Sequence, residues 1–129
     1  MDRIFLDANV LFSAAYRSDA GIARLWKLRN AELVTSAYAA EEARINLNEP
    51  DQRQRLGKLL ERVRIVTGLS PLPPDVRLPE KDRPILQAAI QAGATQLLTG
   101  DKQHFSEYFG RRIGGVLIQL PAEYFQQRP

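Results

Sequence analysis

The sequence predicts an α/β domain, a three-layer α/β/α sandwich around a central, mostly parallel sheet. Three observations predict it. Short apolar runs such as residues 3–7 (RIFLD), 32–35 (ELVT) and 115–120 (GVLIQL) show almost no polar alternation, as strands do when both faces of a sheet are covered. Between them lie stretches whose apolar residues recur at helical spacing. The two kinds of segment alternate, which is the pattern of parallel strands joined by helical crossovers. A chain of 129 residues suits one such domain, spanning 1–129.

Each element can be argued in turn. Residues 3–7 form the first strand and end in Asp7, and a helix starts within Ala8 to Tyr16. Ser18 or Asp19 is placed to cap a second helix, whose Ile22, Leu25, Trp26 and Leu28 recur at helical spacing. Residues 32–35 are the second strand, and Ser36 caps a helix running through Leu47. Pro50 suits the first turn of another helix, in which Leu56, Leu59, Leu60 and Val63 share a face. Residues 64–67 are a third strand, and the four prolines of 70–79 mark an irregular connection. Asp82 stands at the N-cap of the next helix, with Gly93 at its C′ position. A strand over 95–99, a turn at Gly100–Asp101, a strand over 115–120 and a terminal helical turn from Pro121 complete the chain.

Composition narrows the chemistry. The 44% hydrophobic and 26% charged content is that of an ordinary globular protein. The absence of cysteine excludes disulfides and thiolate zinc sites. With His104 the only histidine, a bound metal must lean on oxygen ligands, which favours Mg²⁺ or Mn²⁺. The N-terminal MDRIFLDANV lacks the pattern of a signal peptide, and no apolar run reaches membrane-spanning length. A cytoplasmic protein with no membrane partner is the expectation. The net charge of +3 permits a polyanionic partner without demanding one.

Four acidic positions stand at element boundaries. Asp7 closes the first strand, Asp101 follows the fourth, Asp82 opens the helix between them, and Glu41 or Glu42 lies in the first turns of the helix after the second strand. In open parallel sheets ligands bind beyond the carboxyl ends of the strands. Two carboxylates ~4 Å apart repel by about 4 kcal/mol at an effective dielectric of ~20, so a cluster of them calls for a cation or a proton. A divalent ion held there can polarise a phosphate and activate a water. Each acid also has a purely structural alternative. Asp82 suits an N-cap, Asp101 a turn, and either glutamate a solvated helix face. Asp7, at the end of an apolar run, is the costliest to bury unpaired.

The segments FLDANVLFSA, VTSAYAAEEARINL and LPEKDRPILQAAIQAGATQLLTGDKQHF resemble the PIN-domain family, including toxins of the VapC type. The likeness runs in order through nearly the whole chain, with 48–78 the least distinctive part. It implies an α/β/α fold and a Mg²⁺- or Mn²⁺-dependent ribonuclease. Matched position by position, Asp7, Glu42 (counted from Ser36), Asp82 and Asp101 are the implied metal ligands and catalytic residues. Glu42 is preferred to its neighbour Glu41. Asn9 and Thr99 are implied to orient the carboxylates. The resemblance also implies an RNA substrate, a cognate antitoxin and a homodimer.

Lys81, Arg83 and Lys102 adjoin the proposed ligands and are candidates for substrate contact. The basic run Arg53, Arg55, Lys58, Arg62 and Arg64 suits phosphate contact or, more simply, a solvated helix face. For His104 the simpler role is a structural hydrogen bond. For Phe105, Tyr108 and Phe109 it is packing of a last helix, and for Leu25, Trp26 and Leu28 it is the core. Two other functions compete: an RNA-binding or RNA-processing module that is no toxin, and a phosphatase of haloacid-dehalogenase type. The latter wants a second acid two residues after the first, where this chain has Asn9.

Overall fold

The first strand is buried from both sides: Ile4, Phe5 and Leu6 expose nothing to solvent in a computed structural model of the chain, which describes residues 1–128. Strand β1 (Asp2–Leu6) pairs in parallel with β2 (Ala31–Ser36) on one side and with β4 (Gln96–Leu98) on the other. Beyond β2 lies β3 (Arg64–Val66), also parallel. Beyond β4 lies β6 (Val116–Gln119), parallel again, and then the short antiparallel β5 (Arg112–Ile113). The sheet order is β3-β2-β1-β4-β6-β5. The chain therefore builds outward from β1 in one direction and then restarts on the other side, which puts a topological switch point between β1 and β4.

Helices cover the sheet in the α/β/α arrangement. Helix α1 (Ala8–Tyr16) packs against α2 (Ala37–Asn46) and α3 (Pro50–Leu60). Helix α4 (Arg83–Gln91) lies against β2 and β4, and α5 (Pro121–Gln127) is the last helix among the described residues. The Ser36 hydroxyl accepts from the Ala39 N–H at 3.2 Å and caps α2, as its residue type predicts. Gly93 follows the end of α4 with φ +67°, the left-handed conformation that glycine adopts at little cost. Tyr124 and Arg128 both donate to the Asp2 carboxylate, at 2.6 and 3.2 Å, so α5 is clasped to the start of β1.

Several expectations need correction. No α-helix follows Ser18 or Asp19; a 3₁₀ helix spans Gly21–Lys27 instead. Its N-cap is Ala20, whose side chain cannot accept a hydrogen bond, and Asp19 faces Arg17. Leu25 and Trp26 are nevertheless core residues, and the Trp26 indole donates to the Leu59 carbonyl at 3.0 Å. Residues 102–110 form successive turns rather than a helix, although Phe105 and Tyr108 are buried as expected. The β5–β6 hairpin goes unnoticed in a reading that starts the last strand at 115. Its turn is Gly114–Gly115, both with positive φ, a two-residue hairpin signal present in the sequence.

The glycines give a paired test. A Cβ at Gly114 would lie 2.8 Å from Cδ1 of Ile90, on a backbone at φ +58°, whereas a Cβ at Gly57 in α3 meets nothing within 4 Å. Gly114→Ala should destabilise the fold by about 1–3 kcal/mol. Gly57→Ala should stabilise it by roughly 0.5–1 kcal/mol. Denaturant melts of the two variants check both signs.

Candidate active site

Burial of β1 delivers its next residue, Asp7, to the switch point at the carboxyl edge of the sheet. Asp7 is 4% exposed. Its backbone N–H donates to the Leu98 carbonyl at 3.1 Å, which joins the ends of β1 and β4. One carboxylate oxygen accepts from the Ala8 N–H at 2.7 Å and caps α1. The other accepts from the Thr99 hydroxyl at 2.8 Å and the Asn9 amide at 3.2 Å. Asn9 Oδ1 in turn accepts from the Gly100 N–H at 2.7 Å, and Thr99 Oγ1 accepts from the Asp101 N–H at 3.1 Å. Thr99 and Asn9 thus fix both the Asp7 carboxylate and the turn that carries Asp101. Asn9 is a carboxamide and so offers no acid for haloacid-dehalogenase chemistry; its oxygen and nitrogen are instead committed to these hydrogen bonds.

Asp82 and Asp101 meet at the lone histidine. His104 Nδ1 lies 2.7 Å from Asp101 Oδ2 and 3.0 Å from Asp82 Oδ2. The ring nitrogen carries at most one hydrogen, and the shorter contact takes it. Asp82 Oδ2 is therefore a buried carboxylate oxygen with no hydrogen bond, despite its nearness to the ring. The structural alternative for Asp82 is not realised either: it occupies the N-cap position of α4 but its side chain makes no capping bond. Asp101 does serve its turn, since Oδ1 accepts from the His104 N–H at 3.0 Å, but its Oδ2 is turned to the cluster. Asp82, Asp101 and His104 each offer a ligand atom within 4.8 Å of the others. An orphaned anionic oxygen beside a second carboxylate and an imidazole is a donor set that fits a divalent cation.

The glutamates separate clearly. Glu41 is exposed and pairs with Arg44 one helical turn on. Glu42 is half-buried and lines an open groove of about 380 Å³ with Ala8, Asn9, Phe12, Ala43 and Asn46. Burial pushes the Asp7 carboxyl up to about 6, and the negative charges of Asp82 and Glu42 add to the effect against the opposing hydrogen bonds from Thr99 and Ala8. Burial also raises Asp82, with the charge of Asp101 adding and those of His104 and Lys81 opposing. Tyr38 was not singled out by the sequence. Its hydroxyl donates to the Lys81 carbonyl at 2.7 Å. Its pKa is raised by partial burial and by Glu42, Asp82 and Asp7. Its position two residues past the Ser36 cap was the available signal. For His104 the signal was its place one turn past Asp101.

The cations fall into two groups. Lys81 and Lys102 are exposed and Arg83 is half-buried, and none pairs with an acid among the described residues. The basic run is partly committed to structure. Arg53 and Arg55 donate to the carbonyls of Leu47 and Ala15, each at 2.7 Å, and Arg64 faces Glu32.

The raised Asp7 makes a testable statement about stability. Between its unfolded value near 3.8 and its folded value of about 6, the folded chain holds a proton that the unfolded chain has lost. Stability without metal should therefore fall as pH rises through this window, by about 3 kcal/mol for this group. Asp7→Asn should flatten that slope and raise the metal-free melting temperature at pH 7.5. Melts at pH 4 to 8 in EDTA check it, and a slope of opposite sign would refute the assigned cause.

Comparison with known proteins bears on the family and the fold. The family model described as "PIN domain" matches residues 3–103. No curated protein matches the sequence. Among solved structures, VapBC2 from Rickettsia felis, bound to a DNA fragment from its promoter, aligns at TM-score 0.66 and 16% identity, covering 92% of this chain and 98% of that one. VapBC-1 from nontypeable Haemophilus influenzae aligns at 0.61 and 18% identity, over 93% and 98% of the two chains. FitAB bound to an IR36 DNA fragment aligns at 0.55 and 18%, over 92% and 94%. At these identities the neighbours speak for the fold, and the family model speaks for descent. The matched residues run from the start of β1 through the turn bearing Asp101, and the chain belongs to the PIN-domain family.

Proposed function

We propose that this chain is a Mg²⁺- or Mn²⁺-dependent endoribonuclease and the toxin of a toxin–antitoxin pair. Family membership supports the nuclease. The observation that carries the metal dependence is the unpartnered Asp82 Oδ2 beside Asp101. Asp7, Glu42, Asp82 and Asp101 are the proposed ligands, and the bound ion supplies charge neutralisation and Lewis acidity at the phosphodiester. Thr99 and Asn9 hold Asp7 in place by the hydrogen bonds described above. Lys81, Arg83 and Lys102 border the carboxylates and are proposed to grip the flanking phosphates of an RNA strand. The three solved neighbours are named as two-component VapBC or FitAB assemblies, which supports an antitoxin partner here. A homodimer and a cytoplasmic location follow from the same reading. No described helix is long and apolar enough to cross a membrane.

Purified protein should cleave single-stranded RNA with Mn²⁺ or Mg²⁺ and stop in EDTA. Asp7→Asn should abolish cleavage, and Thr99→Val should slow it ~10–100-fold, the usual cost of losing a group that orients a metal ligand. Glu41→Gln should keep full activity, because Glu41 is engaged with Arg44 on the exposed face. Cleavage that persists undiminished in EDTA and in Asp7→Asn protein would sink the proposal.

A further inference from the structure

We infer that His104 is itself a metal ligand, through Nδ1, and that it gives the Asp82–Asp101 end of the site a preference for Mn²⁺ over Mg²⁺. The inference rests on the carboxylate metal site proposed above and adds a nitrogen donor to it. Three observations carry it. First, the 2.7 and 3.0 Å separations of Nδ1 from the two carboxylate oxygens match those of neighbouring ligands about one octahedral ion with bonds of about 2.1 Å, whose edges are ~3.0 Å. Second, Asp82 is only 8% exposed and its Oδ2 has no hydrogen bond. With the ring hydrogen-bonded to Asp101, that oxygen is left without a partner. A cation facing Nδ1 and both oxygens satisfies all three atoms at once, with the ring hydrogen on Nε2. Third, the imidazole is already positioned. The His104 backbone N–H is held by Asp101 Oδ1 at 3.0 Å, so the ligand pair Asp101 and His104 comes as one preformed turn.

The chemical consequence follows from the donor type. An all-oxygen site suits Mg²⁺, which prefers carboxylate and water. Replacing one oxygen by imidazole nitrogen shifts preference towards first-row transition ions, of which Mn²⁺ is the one most at ease with carboxylates.

Because the chain has one histidine, labelling histidine with ¹⁵N gives an unambiguous probe. In wild-type protein loaded with Mn²⁺, pulsed EPR should show the strong ¹⁵N hyperfine coupling of a directly bound ring nitrogen. Calorimetric titrations should show Mn²⁺ affinity falling ~10-fold or more in His104→Asn, with Mg²⁺ affinity falling less than ~3-fold; loss of a group that only orients a ligand sets the lower bound. His104→Gln should behave likewise. Mn²⁺ that binds wild-type protein without ¹⁵N coupling would overturn the ligand assignment while leaving the carboxylate site standing. Failure of wild-type protein to bind either ion would overturn both. The EPR result is read on the unsubstituted chain, so it does not depend on how well a variant folds.

Discussion

Asp7 is buried because β1 is buried, and much of the site follows from that. A carboxylate at the end of a strand packed between two others cannot reach bulk water, so its oxygens must find donors within the fold. Ala8, Thr99 and Asn9 supply them. Thr99 sits directly beyond β4, and β4 is beside β1 because the chain restarts there after completing β2 and β3. Holding Asp7 therefore also holds the β4 turn. That turn places Asp101 and His104 against Asp82 at the head of α4. One buried acid thus sets the arrangement of groups that lie about ninety residues apart in sequence.

The same groups weigh against stability. Asp7 and Asp82 are both shifted upward chiefly by burial, and the surrounding acids add to it. No hydrogen bond relieves Asp82 Oδ2. Such strain persists only where the surrounding packing is strong enough to impose it. Here the fully buried Ile4, Phe5, Leu6, Leu97 and Leu98 do so. A folded chain that is destabilised by its own carboxylates is one that a cation stabilises, because the ion binds the folded form and not the dispersed acids of the unfolded one.

Much of this was legible in the sequence. Uninterrupted apolar runs give the doubly covered strands away, and Ser36, Pro50 and Gly93 mark helix ends by mechanisms local to the residue. The acids were legible as boundary residues. What pattern alone does not carry is relational. That Glu41 pairs with Arg44 while Glu42 faces the groove depends on the phase of α2 against α1. That Asp82 fails to cap α4 depends on which way its side chain turns. Tyr38 gains its acidic surroundings, and His104 its contact with Asp82, only through tertiary packing. The 3₁₀ helix shows the limit from the other side: helical spacing at Leu25 and Trp26 predicts their burial correctly but does not guarantee α geometry in a short segment without a capping side chain.

The sheet order also has a consequence for biosynthesis. Strand β4 slots between β1, made first, and β6, made nearly last, and Thr99 binds its own partner strand through Gln119. During translation the early strands β1, β2 and β3 can associate while Asp7 still lacks Thr99 and the cluster lacks Asp101 and His104. The acids gather only when the late strands join. Formation of the carboxylate edge is thereby coupled to closure of the sheet.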